Sequence, residues 1–305
     1  METSAPLLAC VVLALSSACA KPNGDHEIPD AGPVVLAPCG VDERSAATID
    51  VSERFDIFHT DIYSRVGALL RDATTVPLDE VVLEEGECRY LRLALGFCDP
   101  RCADGEMCTA DDECQPTPQL ISGGTLRVTG LGDPIEVEPE SWSAGTYVGP
   151  GGLPADLFDQ DDTVYASLRG DAFPALALGA RGVAAIDTDL TGSGLELLDG
   201  QDSEITWTPG PDPDACVQLV LNGFNELHGA PLGDVIRCES ADDGSLLVPQ
   251  ALVEAFPMGE TPEVTEGYDW PHSELTRYTR STREVEQGPV ALWVRSTTYF
   301  RLSHP

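Results

Sequence analysis

The residues of this 305-residue chain whose types could do chemistry are its acids, histidines and cysteines. Two aspartate clusters carry the spacing that a hard cation requires: Asp156, Asp159 and Asp161 in one segment, Asp187 and Asp189 in another. Calcium takes several oxygens from closely spaced carboxylates and carbonyls. The string from Asp187 begins like a calcium loop, but it carries Thr191 at the fifth position and Leu198 at the twelfth, where the bidentate glutamate belongs. Solvated turns, in which Asp accepts local backbone hydrogen bonds, are the competing reading and lead in so acidic a chain. Calcium is therefore an alternative cofactor, with a calcium-dependent adhesion module as the alternative function it would imply, and none is required.

Hydrolysis needs a nucleophile, a base and an electrostatic stabiliser. The five histidines are His26, His59, His228, His272 and His304. Ser193 lies between two glycines but lacks the G-x-S-x-G frame of a nucleophile elbow. Asp269, His272 and Ser273 lie too close along the chain to form a triad. A pair of carboxylates for glycoside cleavage needs only a separation of ~5–10 Å in space and leaves no sequence signature. No catalytic residue is assigned, and a secreted carboxylate-based hydrolase stands as an alternative to a non-catalytic surface scaffold or binding protein of unknown ligand.

Eight of the ten cysteines fall between Cys39 and Cys238, an even set that reads as a disulfide framework. Six of them, Cys39, Cys88, Cys98, Cys102, Cys108 and Cys114, form a compact group whose pairing stays open. The other two, Cys216 and Cys238, each abut a predicted strand, which suggests a bridge between them. Zinc is the weaker reading, because the group has no paired C-x-x-C knuckles and no histidine.

Residues 6–18 are apolar but shorter than the ~20 residues that span a bilayer, which is the length of an export-signal core. Leu15-Ser16-Ser17-Ala18-Cys19 resembles a lipobox, with the leucine four residues before the cysteine. It predicts a signal peptide over 1–18, a lipid on Cys19 and a flexible Pro- and Gly-rich tether over 19–38. Ala18-Cys19-Ala20 also fits ordinary secretory cleavage. The predicted location is the outer membrane or cell surface as a lipoprotein, alternatively the medium.

The formal charge of −35 is spread along the chain, and between residues 133 and 269 the only cations are Arg169, Arg181 and Arg237. Such a surface repels phosphate backbones and anionic headgroups. The expected partners are a membrane, through the N-terminal lipid only, and an extracellular ligand of unknown identity, with no nucleic acid.

The elements that must position these residues are mostly strands. Short β-branched or alternating runs recur between Gly, Pro and Asp punctuation, at 55–63, 66–70, 81–84, 89–95, 125–131, 135–138, 163–168, 205–208, 217–221, 235–238 and 290–302. One short helix is predicted after Pro249, where Leu252, Val253 and Phe256 make an apolar face. The segment 275–302 reads as a terminal strand hairpin whose Arg277, Arg280, Arg283, Arg295 and Arg301 pair with carboxylates of the body; a basic face for an acidic partner or polysaccharide is the other reading.

Residues 203–223, with Trp207 on an alternating strand, a Pro-rich turn and a second alternating strand, resemble part of a fibronectin type III or immunoglobulin-like sandwich. That resemblance implies a buried Trp207 whose indole N–H needs a partner. From residue 39 to 256, the succession CDPRCADGEMCTADDEC, GGTLRVTGLGDPIEVEP, ITWTPG and IRCESADDGSLLVPQALVEAF resembles uncharacterised myxobacterial cell-surface lipoproteins, which implies a β-rich lipoprotein and assigns no functional residue. The expected fold is all-β: a disulfide-stapled N-terminal β module over 39–120, then an immunoglobulin- or fibronectin-like β-sandwich module over 121–305. For the N-terminus, intact mass of the mature protein is expected to show a diacylglyceryl adduct on Cys19; a chain beginning at Lys21 would contradict the lipoprotein.

Overall fold

The computed structural model describes residues 32–40, 44–55, 62–76, 78–93, 98–223, 226–227, 230–231, 233–260 and 273–305. Cys10, Cys19, the signal and most of the tether lie outside these residues, as do His26, His59, His228 and His272.

The fold is all-β with disulfide staples. In chain order the elements are β1 (Ala47–Phe55), β2 (Ile62–Leu70), β3 (Asp79–Glu85), β4 (Cys88–Leu93), β5 (Glu106–Cys108), β6 (Cys114–Pro116), β7 (Leu126–Thr129), β8 (Ile135–Val137), β9 (Pro139–Glu140), β10 (Ser143–Val148), β11 (Thr163–Leu168) and β12 (Leu176–Arg181). There follow α1 (Leu190–Ser193), β13 (Leu195–Glu196), β14 (Ser203–Thr206), β15 (Cys216–Asn222), β16 (Glu226–Leu227), β17 (Ala230–Pro231), β18 (Asp234–Ala241) and β19 (Ser245–Val248). The chain ends with α2 (Gln250–Ala255), β20 (Gly259–Glu260), β21 (Ser273–Val285), β22 (Gly288–Phe300) and β23 (Leu302–His304).

Ten strands form one sheet in the order β3-β4-β18-β15-β21-β22-β1-β2-β10-β9. Its spine is the long hairpin of β21 and β22, and β1 runs parallel to β22 along its whole length. Hydrogen-bonded strand pairs therefore cross residue 120, since β1, β2 and β4 pair with β22, β10 and β18. The 39–120 segment contributes to the common sheet, and among the described residues its β5–β6 hairpin pairs with no strand of that sheet.

The sheet curls. β2 and β3 stand seven strand spacings apart, ~34 Å if the sheet were flat. The nine Cα steps from Leu70 to Asp79 reach at most ~32 Å fully extended, and this link is bent back by bonds from Arg71 to Ala46 and from Thr75 to Ser45. One face of the sheet is thus concave.

Alternation assigns the convex face to the cores. Ile49, Val51, Val66, Leu70, Val290, Leu292 and Val294 meet Leu126, Val128, Val164, Ala166 and Leu168 of a second sheet, ordered β12-β11-β7-β8. Farther along the same face, Val217, Leu219, Ile236, Leu275 and Phe300 pack under the β14–β19 pair and α2, with Trp207, Leu252, Val253 and Phe256. Between the two cores a polar row crosses the sheet on one register line: Arg277, Ser296, Glu53 and Ser64.

Arg277 is almost fully buried and all five of its N–H groups are used. They reach both oxygens of Asp242 (2.7 and 3.2 Å) and the carbonyls of Ala184, Ala185 and Thr208. Asp242 also accepts from the Trp207 indole at 2.6 Å and the Gly210 amide at 2.8 Å. Trp207 thereby has its partner. β14 pairs with β19 while β15 lies in the large sheet, so the two strands flanking the Pro-rich turn belong to different sheets.

All eight cysteines of the body are bridged, with pairs Cys39–Cys216, Cys88–Cys238, Cys98–Cys108 and Cys102–Cys114. The expected six-membered group and the expected Cys216–Cys238 bridge are corrected. The reason is the pleat: Cys238 is level with Leu219, three residues from Cys216, so the two thiols project to opposite faces. Cys238 is instead opposite Cys88 on the neighbouring β4. The two long-range bridges close loops with sequence separations of 177 and 150, each contributing about 5 kcal/mol in the chain-entropy view.

Removing one partner of a buried, hydrogen-bonded pair strands the other. Arg277→Ala is expected to lose about 3–5 kcal/mol in urea denaturation, and Trp207→Phe about 1–3 kcal/mol through the orphaned Asp242 oxygen. Losses below about 0.5 kcal/mol, the range of featureless surface changes, would contradict the pinning role.

Candidate binding cleft

The concave face is polar where the convex face is apolar. Register places Arg280, Trp293 and Asp50 side by side on β21, β22 and β1, with Gly67 of β2 next in line. The adjacent line holds Tyr278, Arg295, Ser52 and Arg65. Since β1 joins β22 in parallel, residues about 245 apart in sequence become neighbours.

A cleft of about 660 Å³ opens on this face. Its walls include Asp50, Arg65, Arg237, Glu239, Arg280, Trp293 and Arg295, with Thr48, Asp79, Thr146 and Gln218. Leu69 and Val148 give it an apolar flank, and both are more than a third exposed. That Asp79 of β3 and Val148 of β10 line one cleft, from nearly opposite ends of the sheet order, is the direct consequence of the curl.

Asp50 is the centre of its charge pattern. Arg295 donates to both of its oxygens, at 2.7 and 3.1 Å, and Arg65 to Oδ2 at 2.8 Å. Burial opposes the charged carboxylate, but the two guanidiniums outweigh it and hold its pKa below the usual value. Glu239 behaves oppositely. Burial raises its pKa, against the Gly40 amide and the charges of Arg280, Arg237 and Arg89, and neither oxygen makes a hydrogen bond of normal geometry. Arg280 stacks over Trp293 at 4.9 Å and donates to the carbonyls of Pro38 and Gly40, while Tyr278 packs on the same indole at 4.6 Å. The 34–40 strap, tied by the Cys39–Cys216 bridge, is thus connected to the cleft through Arg280 and through the Gly40 amide at Glu239.

The five aspartates singled out for calcium are not brought together. Asp156 and Asp159 lie near Glu53, whose pKa burial pushes up to about 6 with help from their charges. Asp161 sits in a left-handed turn position, Asp187 accepts from Thr208, and Asp189 is the residue before α1. Among the described residues, the only three potential ligand atoms within 4.8 Å of one another are the sulfurs of Cys98, Cys102 and Cys108, which are in disulfides. Ser193 donates to the Asp189 carbonyl, Ser273 accepts from the Asn222 amide, and His304 is buried between the Pro257 carbonyl and Asp199.

Of the C-terminal arginines, Arg277 and Arg295 pair with carboxylates of the body and Arg283 is exposed. Arg280 and Arg295 also line the cleft. Asp50 and Glu239 carried no distinguishing sequence signal.

No family model and no curated protein matches the sequence. Among solved structures, a chain from work on host cell surface retention of a 1.5-MDa bacterial ice-binding adhesin shares 12% identity, with a TM-score of 0.18. The match covers 85% of this chain and 65% of that one, and so slight a likeness carries no argument.

Proposed function

We propose that this is an exported, non-catalytic binding protein, held at the outer membrane or cell surface by a lipid on Cys19, that takes a small polar ligand into the concave face of its large sheet. Four disulfides support an extracellular or surface location, because such bridges persist in oxidising compartments. The lipobox-like string Leu15-Ser16-Ser17-Ala18-Cys19 supports the anchor. The observation that carries the binding reading is the cleft itself: about 660 Å³, within the range of small-molecule sites, with convergent polar groups and an apolar flank.

A cleft in which carboxylates meet an aromatic wall is also what a carboxylate-based hydrolase requires, and Asp50 and Glu239 have pKa values displaced in opposite directions. Binding is favoured because both oxygens of Asp50 are committed to arginines and those of Glu239 are out of contact with solvent. Neither is free to attack or to protonate a substrate.

A panel of sugars, sugar acids, amino acids and small organic acids, screened by thermal melting, is expected to contain a stabilising compound. At a hundred times its Kd a ligand adds about 2.7 kcal/mol to the native state. Val148→Trp, at an exposed position on the cleft wall, should abolish the shift while leaving the unliganded melting temperature unchanged. A panel without effect, or a shift that survives Val148→Trp, would contradict the assignment.

A further inference from the structure

We infer that the cleft ligand is a saccharide bearing a carboxylate, with its acid group held by Arg65 and Arg295 and its ring lying along Trp293. This rests on the binding reading and specifies its chemistry. The first observation is stoichiometric: two guanidiniums share the single carboxylate of Asp50, one about half exposed and the other a quarter exposed. Arg65 spends one nitrogen on Asp50 and Arg295 spends two, so each keeps N–H groups for a further acceptor. Glu274 adds only a through-space attraction to Arg295. A planar carboxylate is the group that such guanidinium edges bind best, through paired charge-assisted hydrogen bonds.

The second observation is local sign. The chain carries −35 overall, yet its cleft wall holds Arg65, Arg237, Arg280 and Arg295 against Asp50, Asp79 and Glu239. Burial disfavours the charged forms of Asp79 and Glu239 and of Arg237 alike, so the count of four cations against three carboxylates stands as the local balance. A positive island inside an acidic body admits a single anionic group, whereas the surrounding field repels an extended polyanion.

The third is what adjoins the anion position. Trp293 is next to Asp50 in register and partly exposed, and Tyr278 and Arg280 pack against its indole. The cleft wall also carries Thr48, Thr146 and Gln218, which offer hydroxyls and an amide, and the exposed side chains of Leu69 and Val148. Mixed donors, acceptors and apolar surface suit a pyranose, which carries hydroxyls on its rim and C–H groups on its faces. A fatty or aromatic acid would leave the threonines and the glutamine unmatched.

The test is calorimetric titration of the full mature protein with glucuronate and galacturonate, against glucose, galactose, acetate and benzoate. At least one uronate should bind at least tenfold more tightly than its neutral counterpart and than either simple acid. Arg65→Gln should weaken that uronate by tenfold or more, the equivalent of one charge-assisted hydrogen bond, and leave the weaker binding of the neutral sugar within twofold. Arg65 is half exposed, so the variant should fold; an unchanged melting temperature checks this. Neutral sugars that bind as well as uronates, with loss in Val148→Trp but not in Arg65→Gln, would overturn the inference and keep the cleft. Benzoate binding more tightly than the uronates would overturn the saccharide assignment. If none of the six binds but another compound of the panel does, and Val148→Trp abolishes that binding, this inference alone falls; if no compound binds at all, the cleft reading falls with it.

Discussion

The architecture depends on one buried ion pair. Arg277 and Asp242 lie on the convex face of the large sheet, at the line where one apolar core ends and the other begins. Taking two charges out of water is costly, and the cost is met only when every remaining donor and acceptor finds a partner. Here five guanidinium N–H groups and four carboxylate lone-pair sites are all used. The carbonyls that Arg277 binds belong to connections between sheets, so the pair fastens the coverings of both cores to the central hairpin. Two modest cores consequently share one sheet.

A second constraint follows from the hairpin being buried on both faces. Curling a ten-stranded sheet encloses one face, and side chains there need either apolar packing or mutual satisfaction. This sequence uses the second solution for part of that face: Thr276 and Thr297 bond each other, Asp50 holds two arginines, and Arg280 stacks on Trp293 and donates to the N-terminal strap, while the Tyr278 hydroxyl and the Glu239 oxygens stay without a hydrogen bond of normal geometry. Polar groups arranged to satisfy one another around a space are also what a polar ligand meets on entry. The polar interior and the cleft are thus products of the same requirement.

Much of the β content was legible in the sequence because its signal is local. The runs at 163–168, 217–221 and 235–238, and the short helix with Leu252 and Val253 buried, follow alternation and Pro placement directly. Trp207 was readable as a core residue in need of a hydrogen-bond partner, but not that the partner is Asp242 across a turn. The cysteine pairing failed for a physical reason. Proximity in sequence grouped Cys39 and Cys88 with the dense 98–114 cluster, whereas pleat parity and long-range strand order decide which sulfurs meet. The parallel junction of β1 with β22 left no local trace, and with it the cleft was invisible, since Asp50 is one of 52 acids until the register sets it beside Arg295.

The central claim is that the two ends of the chain are woven into one curled sheet around a polar interior. Non-reducing peptide mapping by mass spectrometry of the exported protein tests it most directly. The account predicts cross-linked peptides joining Cys39 to Cys216 and Cys88 to Cys238, with Cys98–Cys108 and Cys102–Cys114 confined to the small hairpin region. A Cys216–Cys238 link, or Cys39 and Cys88 paired within the 98–114 group, would contradict it.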